Sequence, residues 1–215
     1  LMVRVAYGPV QHLVDGRVEI AREELESCQR RWPQELARPT FRFSLMLSQA
    51  RVERYAGTGA ECWQPFVRHW PAVRRSLMLM KQPFRVFSLY DRGCSALTAA
   101  RASDGRDRER LVAQARRDAG ALLREDVAWA TSFARALFVG IRAAVDDRQA
   151  AISEAARALD AFEGAQMVSH AAAMQLRLAE LEARAPEEAQ ARLRELGVVD
   201  PARMTDMLVP PVSGW

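Results

Sequence analysis

The chain has 215 residues, a hydrophobic fraction of 49% and an aromatic fraction of only 7%, enough apolar material for one large core or a continuous helical array. No apolar run approaches the roughly 18–20 residues that span a bilayer, and no charged n-region followed by an apolar h-region opens the chain. A soluble, cytoplasmic domain is therefore expected. The net charge of +4 and pI near 9.4 suggest a nucleic-acid binder only until the distribution is read. Arginines alternate with acids, as in Asp104-Gly105-Arg106-Asp107-Arg108-Glu109-Arg110. Such a pattern neutralises locally and builds no single-sign stripe for phosphates.

In chain order, a short apolar stretch of 14 residues precedes a turn at Asp15-Gly16. Arg17 to Trp32 reads as a helix with Val18, Ala21, Leu25 and Cys28 on one face, ended by Pro33. A second helix runs from Pro39 to Ala56 and closes at Gly57-Thr58-Gly59. Ala60 to Trp70 is a third, stopped by Pro71. Pro71 to Ala102 is too long for one ordinary helix, and Pro83 should kink or split it, because proline lacks the backbone donor and clashes with the preceding turn. After the break at Ser103-Asp104-Gly105, helical faces follow at Leu111, Ala115, Ala119 and Leu122, then at Val127, Ala130, Ala134, Leu137, Ile141 and Val145. Asp146-Asp147 can cap a helix facing inward through Ile152, Ala155, Leu159 and Phe162. Its partner carries Met167, Ala171, Met174, Leu178 and Leu181. Pro186 opens a short helix ending at Leu196-Gly197, and Asp200-Pro201 starts a last one that Pro210-Pro211 stops.

Nowhere does a strand pattern interrupt. Ser44-Leu45-Met46-Leu47 returns as Ser76-Leu77-Met78-Leu79, the same offset carries Cys62 onto Cys94, and Trp32-Pro33 and Trp70-Pro71 precede the copies. Self-similarity at this period points to stacked helical hairpins. The expected fold is all-α, an α-solenoid of antiparallel, tetratricopeptide-like hairpins with about nine or ten helices. It is one domain over 1–215, with a possible subdivision near 103–106 into 1–102 and 107–215. Cys28, Cys62 and Cys94, odd in number and without C-x-x-C spacing, fit packed free thiols of a reducing compartment.

The run Leu196-Gly197-Val198-Val199-Asp200-Pro201-Ala202-Arg203-Met204-Thr205-Asp206-Met207-Leu208-Val209-Pro210 resembles the end of the helical C-terminal region of bacterial Hanks-type serine/threonine protein kinases. In those tails a Gly, an Asp/Asn-Pro, an Arg-Met pair and a Met-Leu or Met-Tyr before proline come in that order. Ala161-Phe162-Glu163-Gly164-Ala165-Gln166-Met167 and Glu125-Asp126-Val127-Ala128-Trp129-Ala130 are similar to the two preceding hairpins. Pro211 departs from the usual glycine. The resemblance implies a tetratricopeptide-like array downstream of a kinase domain, and an opening at Leu1 fits a segment of a longer protein. It does not imply catalysis by this chain. No Gly-x-Gly-x-x-Gly or Asp-Phe-Gly is present, and none of His12, His69 or His170 precedes Arg-Asp.

No catalytic, metal or cofactor residues are expected. Cys62 and His69, seven apart on a presumed helix, stand roughly 10 Å apart along its axis, too far to share one zinc ion. They read as a packed thiol and a partly exposed imidazole. The aromatic sets Trp63, Phe66, Trp70 and Phe84, Phe87, Tyr90, with Met46, Met78 and Met80, read as core first. The candidate binding surface is aromatic and basic: Arg51, Arg54, Tyr55, Arg74, Lys81, Arg85, Tyr90 and Arg92. Steps of 7, 4 and 7 would align Arg74, Lys81, Arg85 and Arg92 on one helical face and line a groove for an acidic or phosphorylated peptide. The parent kinase domain is a second possible partner. The function expected is protein–protein interaction, the alternative being a helical domain that senses a small effector.

Overall fold

The computed structural model describes residues 2–33 and 38–214, and all regular structure among them is helical. The described helices are α1 (Met2–Val14), α2 (Val18–Arg31), α3 (Pro39–Ala56), α4 (Gln64–Arg75), α5 (Gln82–Arg101), α6 (Gly105–Leu123), α7 (Ala128–Ala144), α8 (Arg148–Gly164), α9 (Val168–Leu181), α10 (Glu187–Glu195) and α11 (Pro201–Leu208). Two 3₁₀ turns, Gly59–Trp63 and Leu77–Met80, flank α4. The described helices outnumber the nine or ten expected, because the opening apolar stretch is itself a helix, α1, packed on α2 and α3.

One termination rule shapes the hairpins. Gly16, Gly57, Asp146, Gln166, Ala183 and Gly197 all take positive φ just past a helix. In each case that residue bonds back three residues and the next one back five, as in Asp146 N–H to Ala143 O and Asp147 N–H to Arg142 O. This closure satisfies carbonyls that have no partner within the helix. Glycine announces three of these turns in the sequence; Asp146, Gln166 and Ala183 adopt the same conformation without it. Caps start two of the helices that follow: Asp147 accepts from Ala150 N–H, and Asp200 from Arg203 N–H.

The prolines act otherwise than expected at two places. Pro71 lies inside α4 instead of ending it. The carbonyl it leaves free belongs to Val67, which is 56% exposed, so water can replace the lost bond. Pro83 sits in the first turn of α5, where no N–H is needed. That placement leaves the second Ser-Leu-Met-Leu copy outside α5, so Ser76–Leu79 forms a helix end and a 3₁₀ turn, whereas Ser44–Leu47 is mid-helix in α3. The sequence echo is not a structural one. Cys28, Cys62 and Cys94 likewise fall on three unlike elements, all buried and free.

Successive helices pack on one another from α5 to α10, and α5 also touches α3 and α7. The composition break at 103–105 is the α5–α6 turn, and Cys94, Leu97, Leu111 and Leu122 share one buried cluster across it. A second cluster joins the two ends of the chain. Val5, Leu13, Leu25, Phe41 and Tyr55 from α1–α3 pack with Leu176, Leu193, Met204 and Met207 from α9–α11, and Val199 N–H donates to Val14 O at 3.0 Å. The packing is therefore not confined to neighbouring hairpins.

Candidate functional site

The eight candidate groove residues do not form one surface. Arg54, Tyr55 and Tyr90 are buried, at 1–3% exposure. Arg54 donates from Nη2 to Asp91 Oδ1 at 2.5 Å, from Nη1 to Ser95 Oγ at 2.8 Å, and from Nε and Nη2 to the Met207 carbonyl at 3.1 and 3.0 Å. Arg51 adds a second grip on Asp91, Nη2 to Oδ2 at 2.6 Å. Burial pushes the Asp91 carboxyl upward, but these two guanidiniums outweigh it and hold the group below the usual aspartate range.

The Tyr90 hydroxyl donates to the Leu208 carbonyl at 2.7 Å while its ring stacks on Phe133 at 3.9 Å. Arg177, from α9, donates to the Pro210 carbonyl at 3.0 Å and pairs with Asp206 and Glu180. Thus α3 and α5 each send one buried side chain to the last carbonyls of α11, Met207 and Leu208, and α9 sends one to Pro210 just beyond it. A helix leaves its last carbonyls without partners, and here side chains from distant elements supply them. Arg54 and Tyr90 hold the C-terminal segment; they do not line a groove. Tyr55 belongs to the cluster that joins the chain ends.

The remaining candidates separate as well. Arg74 lies in α4, Lys81 between helices, and Arg85 and Arg92 in α5, so the 7-4-7 spacing spans a break and no single face carries it. Arg85 is engaged by Glu125, Nε to Oε1 at 2.5 Å and Nη2 to Oε2 at 2.6 Å, and donates to Leu79 O at 2.7 Å. It ties the 3₁₀ turn to the α6–α7 connection. Lys81 is exposed.

Two clefts remain. The first, about 520 Å³, lies between α4 and α6 over Leu89 of α5. Trp63, Val67 and Trp70 wall it, and Arg74, Arg92 and Arg117 reach it. Arg92 is fixed from two sides. Its guanidinium lies 3.8 Å from the Trp70 ring centre, and it forks onto buried Asp118, Nε to Oδ2 at 3.0 Å and Nη2 to Oδ1 at 2.5 Å. Gln114 donates to the same carboxylate at 3.0 Å and accepts from Arg117 at 2.8 Å. Burial raises the Asp118 carboxyl above its ordinary range despite these donors. The second cleft, about 290 Å³, is apolar and lies between α1, α3 and α5. Tyr7, Phe43, Leu47, Phe84 and Phe87 line it, with Arg51 at its edge. Of the aromatic residues read as core, Phe66 and Tyr90 are buried, whereas Phe87 is 38% exposed.

Cys62 donates to the Gly59 and Ser95 carbonyls, and burial pushes its thiol up to about 12, as it does that of Cys94. His69 is buried, not partly exposed, and its Nε2 has no hydrogen-bond partner among the described residues. Among the described residues no three His, Cys, Asp or Glu side chains are grouped to hold a metal ion, and no helix is long and apolar enough to cross a membrane. No family model matches the chain, and no curated protein or solved structure matches it either.

Proposed function

We propose that this chain is a noncatalytic docking domain of tetratricopeptide-like hairpins, working in the cytoplasm as the C-terminal regulatory part of a bacterial serine/threonine kinase. Three things support the reading: the hairpin succession from α5 to α10, the terminal run from Leu196 to Pro210 that resembles such kinase tails, and the sequence's lack of kinase phosphate-binding and catalytic motifs. The observation that carries it is the open cleft between α4 and α6, with aromatic walls and arginines at its rim. Aromatic and arginine side chains are the types that anchor protein partners. The partner class is a peptide or protein segment, with the parent kinase domain as one candidate.

A second reading has its own support. The apolar cleft beside Arg51 has the size and lining of a small-molecule site, which would make the domain a sensor of a small effector. Thermal denaturation separates the two. A metabolite that binds only the folded chain raises its melting temperature by mass action, whereas the docking reading expects no such rise across a metabolite panel. It expects selection from a displayed library of short random peptides to return binders. A strong metabolite shift with no selected peptide would sink the docking reading.

A further inference from the structure

We infer that the cleft between α4 and α6 binds an acidic peptide segment carrying an apolar or aromatic side chain next to its carboxylates. The inference rests on the docking reading and names the site and the chemistry of its occupant.

Charge comes first. Three arginines and one aspartate reach the cleft, and the aspartate is already consumed: Asp118 is 1% exposed and receives both prongs of Arg92 and the Gln114 amide. Arg74 and Arg117 have no carboxylate within ion-pair distance among the described residues. Arg116 and Arg124 continue the positive surface along the outer side of α6. A cleft with apolar walls focuses that field on whatever enters it.

Preorganisation comes second. Arg92 is pinned by Trp70 and Asp118, so it adds a fixed cationic edge at no further cost in side-chain freedom. Arg74 lies one turn beyond Trp70 on α4, so a carboxylate held by its guanidinium leaves the neighbouring ligand side chain over the indole and Val67. Guanidinium forks match carboxylates in two-pronged geometry.

The extent of the patch sets the occupant. Asp107 and Glu109 interrupt the arginines at one end of α6, and Asp126 follows just past the other. A nucleic-acid strand needs a long stripe of one sign; a short acidic segment needs only this cleft.

The test is peptide selection on the 215-residue chain, followed by binding measurements with the selected peptides. Selected sequences should be enriched in Asp and Glu beside Trp, Phe or Leu, and their affinity should fall as salt rises. Arg74→Glu/Arg117→Glu should weaken binding about tenfold or more, with only a small shift of the melting curve, because both side chains are exposed and Arg117 touches the buried Asp118 network only at its solvent edge, through Gln114. Arg31→Glu/Arg194→Glu, the same charge change on α2 and α10, should leave binding intact. Selected peptides without acidic enrichment, or binding that survives Arg74→Glu/Arg117→Glu, would overturn the assignment while the docking reading stands. No selected peptide at all would overturn both. A single-stranded DNA oligomer that binds as tightly as the peptides and is lost in the same variant would overturn the peptide as occupant.

Discussion

His69 in α4 and His170 in α9 are both held as neutral imidazoles, each lowered to about 4. Burial is the main cause in each. Arg68 and Arg42 add to it at His69; at His170 Arg51 adds to it, Asp91 pulls the other way, and Arg54 adds a smaller push downward. An unfolded chain returns both to about 6.5. Between pH 6.5 and 4 the unfolded state therefore binds protons that the native state refuses, and stability falls as pH falls through that window. Above pH 6.5 the penalty is absent. Each histidine contributes up to about 3 kcal/mol of this loss. Asp91, held low by two arginines, protects the fold until the pH drops below the ordinary aspartate value. Urea denaturation followed across pH should show midpoints declining from about pH 6.5 toward 4, with a shallower slope in His69→Gln/His170→Gln. A flat wild-type profile over that range would contradict the argument.

Helices and their ends were legible because local chemistry sets them. Pro39 to Ala56, Gly57, the Asp147 and Asp200 caps and the α10–α11 boundary follow from single residues whose backbone preferences allow little else. The apolar faces of α2 and α6 followed from spacing: Ala21, Leu25 and Cys28, and then Leu111, Ala115, Ala119 and Leu122, are all buried. The Ser-Leu-Met-Leu echo misled because identical tetrapeptides take the conformation their flanks permit, and only the second has a proline five residues after its first methionine. Glycines carry the same lesson. In the interior of α6, a Cβ on Gly120 would meet nothing closer than Arg124 Nη1 at 3.9 Å, so Gly120→Ala should stabilise by about 0.5–1 kcal/mol through helix propensity. In α7, a Cβ on Gly140 would lie 2.7 Å from Pro210 Cβ and 2.8 Å from Leu97 Cδ1. Gly140→Ala should therefore destabilise by about 1–3 kcal/mol despite the same propensity gain. Thermal melts of the two variants should move in opposite directions; parallel shifts would show that α7 does not approach the C-terminal segment as closely as described.

At the scale of the molecule, what the sequence hid is what joins distant parts. Arg54, Tyr90 and Arg177 are polar residues on helices that also carry exposed charges, and no periodicity distinguishes a buried donor from a surface one. Their partners are carbonyls 33 to 153 residues away. The candidate cleft was half legible: Arg74 and Arg92 were among the residues read as binding surface, but Trp63, Trp70 and Arg117 join them only because α4 and α6 face each other across α5. The segment after α11 shows how much rests on such long-range contacts. Val209, Pro210, Pro211 and Val212 are buried against the α5–α7 side of the core, and Pro210 O satisfies the Arg177 Nε. Ending the chain at Leu208 removes two valines worth about 1.5–3 kcal/mol each when buried, uncovers Leu97 and Gly140, and leaves a buried guanidinium short of an acceptor. The expected loss is at least about 3 kcal/mol, or roughly 6–12 °C in melting temperature for a chain of this size. Replacing Ser213 by Ala should cost far less, because Ser213 is exposed. If the chain ending at Leu208 melts like the full chain, residues 209–212 do not stabilise the fold, and stability resides in the helices alone.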